Sequence, residues 1–186
     1  MKPNLNSLAL LAVLATPAAH AVEYRTVLPK QSAISFEFRQ MGVPVAGGFK
    51  RFTTQMRFDP ARPEAASARI EIDLASIDAG SPEADDESAG KLWFNRSAYP
   101  KATFVSSQVR ALGNNRYEMR GTLTLKGRSR EMTVPVTYIP GKNAAIFDGS
   151  FILKRLDFGI GEGLWADVAT VANEVRVTFR IAATGI

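Results

Sequence analysis

Apolar and polar residues alternate one by one through most of the chain, a pattern that leaves few folds open. Ile70, Ile72 and Leu74, for example, alternate with charged neighbours. Because successive side chains of a β-strand point to opposite faces, this alternation predicts strands with one buried and one solvated face. The sequence predicts eight or nine of them, around residues 24–28, 34–39, 49–58, 69–74, 102–109, 117–126, 132–138, 147–153 and 175–181.

Turn-forming residues separate these segments, and only one stretch departs from the strand pattern. Gly127 lies between two clean alternating runs and predicts a tight hairpin. Residues 81–100 lack the alternation, and Pro82 is suited to the first turn of a helix. We therefore expect a short helix within a long crossover between two strands.

Many short strands with one apolar face fold as a sandwich or as an up-and-down barrel. Glycines share the apolar faces with larger residues, as Gly121 does beside Leu123 and Gly149 does beside Phe151. This mixture favours strong curvature or a cavity over a uniformly filled core. An eight-stranded barrel has an interior just wide enough for side chains or one slim ligand. We therefore predict an all-β, eight-stranded antiparallel β-barrel.

The beginning of the chain has the layout of a secretory signal peptide. After a positive start, residues 8–15 are apolar, and Ala19 and Ala21 frame a cleavage site. We expect a signal peptide at residues 1–21, cleaved after Ala21, and a single exported domain at residues 22–186. No later segment approaches the roughly 20 apolar residues that a membrane-spanning helix needs. We therefore expect no transmembrane segment after removal of the signal.

The composition excludes several kinds of site from the exported domain. The chain has no cysteine and a single histidine, His20, which lies within the signal. Zinc sites and the common nucleophile–base pairs depend mainly on these two residue types, so we expect neither. The 23 Lys and Arg against 18 Asp and Glu are scattered, which does not favour nucleic acid as a partner. Carboxylate chemistry stays open, with Asp78, Asp157, Glu162 and Asp167 as candidates.

Several motifs carry a resemblance to a known family. They are Ile34-Ser-Phe-Glu-Phe38, Val45-Ala-Gly-Gly-Phe49, Tyr99-Pro-Lys-Ala-Thr-Phe104, Gly121-Thr-Leu-Thr-Leu-Lys-Gly127, Arg155-Leu-Asp-Phe-Gly-Ile160 and Asn173-Glu-Val-Arg-Val-Thr-Phe179. In this order they resemble the YceI-like family of exported polyisoprenoid-binding proteins, from Val22 to Ala183. The resemblance implies an extended, lipocalin-like barrel closed over a long apolar tunnel that holds an isoprenoid chain.

The resemblance also implies a function, which is a periplasmic carrier for an isoprenoid lipid of the quinone or polyprenyl type. Apart from that bound lipid we expect no cofactor, no metal and no catalytic residue. Arg39, Gln40 and Lys91 are candidates to orient a polar headgroup. The candidate ligand-binding residues are Phe36, Phe38, Gln40, Phe49, Trp93, Phe104, Leu123, Phe151, Phe158 and Trp165.

Two other functions stay open on the sequence. One is a barrel with a packed core whose outer surface binds a membrane redox protein. The other is a hydrolase that uses the carboxylates named above. A bound apolar chain would separate the carrier from both alternatives, since neither needs a hollow interior.

One backbone conformation is also predictable. Gly159 ends the segment Leu156-Asp157-Phe158 and begins a glycine-rich turn that continues through Gly161 and Gly163. Glycine at such a position usually adopts a positive φ, which other residues rarely do. We therefore expect Gly159 in the left-handed region, with Phe158 packed inward.

Overall fold

The computed structural model describes residues 22–186. The predicted signal peptide, its cleavage site and His20 lie outside the described residues. The described chain forms one antiparallel sheet of eleven strands and one α-helix. The elements are β1 (Tyr24–Val27), β2 (Ala33–Gln40), β3 (Val43–Phe49), β4 (Phe52–Arg57), β5 (Ser67–Asp73), β6 (Ile77–Asp78), α1 (Pro82–Ala89), β7 (Lys101–Gly113), β8 (Arg116–Leu125), β9 (Arg128–Ile139), β10 (Ala145–Lys154) and β11 (Glu174–Gly185).

The all-β antiparallel class is confirmed, with two strands more than the alternation indicated. The first is β3, in which Pro44, Gly47 and Gly48 disfavour a strand and interrupt the alternation. It forms because β2 supplies a complete antiparallel partner, from Ile34 opposite Phe49 to Gln40 opposite Val43. The second is β6, which has only two residues and is too short to show a period.

The sheet curls until its two ends meet in bent strands. Neighbouring strands follow the order β4–β5–β7–β8–β9–β10–β11–β2–β3–β6. β3 continues into β4 through a bend at Lys50 and Arg51, and β5 continues into β6 through residues 74–76. The Lys50 N–H donates to the Ser76 carbonyl at 2.9 Å, and the Asp73 N–H donates to the Arg51 carbonyl at 3.1 Å. With each bent strand counted once, the circuit has the eight members that were predicted.

β1 covers part of the place where the two ends of the sheet meet. β1 pairs with β11 and reaches β4 through Tyr24 and Phe58, whose backbones exchange hydrogen bonds of 2.8 and 3.1 Å. Within residues 22–186 no ladder joins β4 to β2. The wall is therefore open where these two strands start, and we call this opening the fork. Its rim comes from residues 29–34 and 46–52.

Two clusters of buried residues fill the two ends of the barrel. The lower cluster contains Tyr24, Phe58, Tyr117, Tyr138 and Phe147 together with smaller residues. The upper cluster is built on Leu74, Ala102, Leu123, Leu125, Leu153, Phe158 and Ile160. The interior between these clusters positions the candidate site.

The predicted crossover helix is confirmed. α1 starts with Pro82, and the Ser81 hydroxyl accepts a hydrogen bond from the Ala84 N–H at 3.2 Å, which caps the helix. The acidic residues 83–87 thus lie on a short helix beside the upper cluster. No helix within the described chain has the length and apolar character needed to span a membrane.

Candidate functional site

A cavity of about 120 Å³ lies between the two clusters. Its wall is almost wholly apolar and comes from the inward faces of β2, β4, β5 and β7–β11. The larger lining residues are Ile34, Met56, Arg57, Phe58, Ile70, Ile72, Phe104, Val109, Tyr117, Met119, Leu123, Val134, Val136, Phe147, Phe151, Val177, Phe179 and Ile181, of which Arg57 is exposed. Since one water molecule needs roughly 10–15 Å³, this volume suits a short apolar segment.

Phenylalanine rings lie over strand glycines in this wall. A Cβ at Gly121 would lie 2.5 Å from Cζ of Phe104, and one at Gly149 would lie 2.7 Å from Cε1 of Phe179. The missing Cβ lets each ring settle against the backbone of its neighbouring strand instead of pointing to the barrel centre. The shared faces of glycine and aromatic residues thus produce a hollow interior, as the sequence indicated.

Aromatic rings close the lower end of the cavity. The Phe58 ring centroid lies 5.0 Å from that of Phe147, 5.1 Å from that of Tyr117 and 5.2 Å from that of Tyr138. The Tyr24 and Tyr138 hydroxyls share a hydrogen bond of 3.0 Å. Burial, and then this hydrogen bond, raise the pKa of Tyr138. The neutral phenol of Tyr138 is therefore favoured.

A buried arginine organises the upper end. Arg155 is 1% exposed, and its guanidinium donates only to backbone carbonyls. Its Nε bonds Ala172 at 3.0 Å, Nη1 bonds Ile160 and Gly161 at 2.9 and 2.8 Å, and Nη2 bonds Trp165 and Val171 at 2.7 and 2.6 Å. One side chain thus ties residues 160–172 into a lid over the upper cluster.

Trp165 lies in this lid, and Trp93 packs against it. The Arg155 Cζ lies 5.8 Å from the Trp93 ring centroid, and the centroids of Trp93 and Trp165 are 5.6 Å apart. The Trp165 Nε1–H donates to the Glu87 carboxylate at 2.9 Å, which joins the lid to α1. Burial lowers the pKa of Arg155, but an arginine stays protonated, so the carbonyls supply its stabilisation.

The ten candidate ligand residues fall into different places. Phe104, Leu123 and Phe151 line the cavity together. Phe36 and Phe38 pack against each other on β2, with centroids 6.3 Å apart, and are not among the cavity residues. Phe49 lies on the rim of the fork.

The other four candidates lie at the upper end. Phe158 is buried in the upper cluster, Trp93 packs against that cluster, and Trp165 lies in the lid. Gln40 is exposed at the end of β2, where its backbone bridges to Val171. The headgroup candidates Arg39 and Lys91 are also exposed. The structure therefore brings three of the ten candidates together around the cavity.

Sequence reasoning missed the lower half of the cavity. Phe179 and Phe147 occupy the apolar phase of alternating strands, and that phase was the signal that could have identified this wall. In the structure Phe179 pairs with Gly149 across the two strands. On β4, Met56 and Thr54 also line the cavity. The Thr54 Oγ1 is buried, with no hydrogen-bond partner among the described residues.

The candidate carboxylates do not form a common site. Asp78 pairs with Lys50 at 2.9 Å, Glu162 pairs with Lys126 at 3.0 Å, and Asp167 accepts from the Ala169 N–H at 3.0 Å. These partners lower the pKa of each carboxyl. Across residues 22–186, no group of three or more His, Cys, Asp or Glu side chains is placed to hold a metal ion.

Comparison with known proteins supports the resemblance. Residues 26–183 match the YceI-like domain family. The chain belongs to this family. A UPF0312 protein of Vibrio cholerae is 32% identical over 171 residues, which cover 86% of this chain and 89% of that protein.

Two solved structures place this YceI-like domain among its neighbours. BcnA of Burkholderia cenocepacia superposes with a TM-score of 0.83 at 43% identity, covering 85% of this chain and 99% of that one. A polyisoprenoid-binding domain from Saccharophagus degradans superposes with a TM-score of 0.67 at 15% identity, covering 90% of this chain and 100% of that one. The predicted lipocalin-like fold of the YceI-like family is thereby confirmed.

Proposed function

We propose that this YceI-like protein binds an isoprenoid lipid in its cavity and carries that lipid in the periplasm. The apolar cavity between two closed ends is the observation that carries the proposal. The Saccharophagus degradans neighbour, which is a polyisoprenoid-binding domain, supports the chemical class of the ligand. The export signal predicted for residues 1–21 supports the location.

Energetics favour an apolar chain as the occupant. Burial contributes about 0.8 kcal/mol for each methylene, so a chain leaves a membrane only if a protein covers most of its length. An isoprenoid meets mainly hydrocarbon in this cavity, although Thr54, Arg57 and Ser67 also line it. The scattered carboxylates give no reason to assign a catalytic step, and we propose a binding protein that is not an enzyme.

The cavity wall can be tested through Phe151. Replacing a phenylalanine of a filled core by alanine costs roughly 3–5 kcal/mol. Phe151 borders an existing cavity, so Phe151→Ala should cost the delipidated protein less than this and should weaken binding of geranylgeraniol. Urea unfolding of delipidated and loaded protein, with a titration of the lipid, measures both effects.

Ile152 supplies the matched control. It is the next residue on β10 and is 44% exposed on the outer face. Ile152→Ala should leave lipid binding unchanged. If Phe151→Ala unfolds the delipidated protein while the folded fraction binds lipid normally, the ring is ordinary core and this assignment fails. If the unaltered protein binds no geranylgeraniol, the carrier function fails.

A further inference from the structure

The cavity has no obvious way in through its ends. The lower end is packed with the rings around Phe58, and the upper end is covered by the lid that Arg155 holds. A ligand therefore has to pass through the side wall or wait for one end to unfold. The places where the strand ladder is interrupted are the weakest parts of that wall.

One interruption lies between β9 and β10 and is covered. The ladder there has three pairs, from Ile146–Ile139 to Asp148–Thr137. Beyond it, Lys126 donates to the Gly159 carbonyl at 2.5 Å, and Arg128 donates to Glu162 at 2.9 Å. These hydrogen bonds hold the lid over the gap between β9 and β10, so this interruption of the wall is covered.

The other interruption is the fork, and it holds an open groove of about 860 Å³. Small residues form much of its rim, namely Ala33, Ala46, Gly47 and Gly48. Ile34 lines both this groove and the inner cavity, so one side chain separates the two spaces. The fork is therefore a path from solvent towards the cavity, in addition to the exposed lining residues Arg57 and Ser67, which pair across β4 and β5.

Two ion pairs stand at the lip of the fork. Lys50 pairs with Asp78 at 2.9 Å, and Arg51 pairs with Asp73 at 2.9 Å. All four side chains are at least 40% exposed, so the pairs are hydrated and contribute little to stability. Two cations and two anions offer both donors and acceptors with no net charge. Such a lip suits a polar group that carries no net charge.

The size of the cavity is a further reason to expect part of the ligand in the groove of the fork. About 120 Å³ accommodates a short apolar segment, so the remainder of a long chain has to extend out of the cavity. The groove of the fork adjoins the cavity at Ile34 and is lined by Phe49 and Phe52 as well as by Lys50, Arg51 and Asp78. An amphiphile can thus keep its tail inside, its first carbons in the groove and its polar end at the lip.

We propose that the fork is the mouth through which the ligand loads, and that its lip holds a polar end without net charge, such as a hydroxyl or a carbonyl. This inference rests on the proposed isoprenoid binding. It adds the route and the charge class of the ligand, which the apolar cavity does not specify.

The route can be tested with a removable plug, because the chain has no cysteine of its own. Ala33→Cys, modified with a bulky methanethiosulfonate reagent, should slow both uptake and release of geranylgeraniol at least tenfold and leave the dissociation constant unchanged. Reduction of the mixed disulfide should restore both rates. Stopped-flow tryptophan fluorescence follows uptake, and exchange into vesicles follows release.

Ser107→Cys, modified in the same way, is the control on the exposed outer face of β7. It should exchange lipid at the unmodified rate. If modified Ala33→Cys also exchanges lipid at the unmodified rate, the ligand passes elsewhere and the fork is not its mouth. If the unaltered protein takes up no geranylgeraniol, the proposed function fails, and the mouth fails with it.

The charge class is tested with geranylgeranyl phosphate beside geranylgeraniol. The unaltered protein should bind the alcohol more tightly than the phosphate. Asp78→Asn leaves a net positive lip and should strengthen phosphate binding several-fold. Glu118→Gln, which removes the same charge from a pair with Arg110 on the outer wall, should not do so. Equal effects of the two variants, or a preference of the unaltered protein for the phosphate, would overturn the neutral lip.

Discussion

Gly159 illustrates how one backbone angle fixes the start of the lid. Its φ is +66°, in the left-handed region that the sequence predicted. A Cβ there would lie 2.7 Å from Oε1 of Glu162 and 2.8 Å from Cζ of Arg128, the two groups that pair beside it. Glycine therefore permits both the turn and the ion pair that fastens the lid to β9.

We expect Gly159→Ala to destabilise the fold by more than about 1 kcal/mol, since backbone strain and crowding act together. Gly42→Ala separates the two effects, because Gly42 has a φ of +80° but a methyl group there would meet no atom within 4 Å beyond its chain neighbours. Thermal or urea unfolding should show a smaller loss for Gly42→Ala. A Gly159→Ala protein as stable as the unaltered one would contradict this role.

At the scale of elements, alternation located nine of the eleven strands, and its absence over residues 81–100, together with Pro82, located α1. It missed β3 because Pro44 and two glycines obscure the strand, and β6 because two residues show no period. It could not find the role of Arg155, since a charged residue just after a strand is expected at the surface. Of the candidate site, the inward residues of clean strands, such as Phe104 and Phe151, were predictable. The lid, which joins segments distant in sequence, was not.

The lid gives a prediction at this scale. Arg155→Met removes the guanidinium donors that bond five backbone carbonyls. It should destabilise the protein by at least about 3 kcal/mol. Arg155→Lys should recover only part of this stability, because an ammonium cannot reproduce the planar set of donors. Urea unfolding gives the loss, and hydrogen exchange should show faster opening of residues 160–172.

Arg180 provides the control for this comparison. It pairs with Asp148 on the outer wall, and its side chain is 55% exposed. Arg180→Met should therefore cost less than about 1 kcal/mol. If Arg155→Met loses no more stability than Arg180→Met, the carbonyls do not depend on the buried guanidinium.

For the whole molecule, the hollow interior follows from the positions of the large side chains and of the strand glycines. Aromatic rings fill the lower end, the Arg155 lid covers the upper end, and rings that lie over Gly121 and Gly149 leave space between them. Two bent strands close the circuit and leave the fork as a gap in its wall. A packed barrel that acts only through its surface needs neither the cavity nor the gap.

The central claim is that an isoprenoid chain occupies this interior, and native mass spectrometry of protein purified from its own host tests it most directly. The account predicts a mass above that of the chain alone, with the excess released by organic extraction and identified by fragmentation as an isoprenoid lipid. Phe151→Ala protein should carry less of it, and Ile152→Ala protein the same amount. A folded protein that is empty, and that stays empty when offered isoprenoid lipids, would contradict the account.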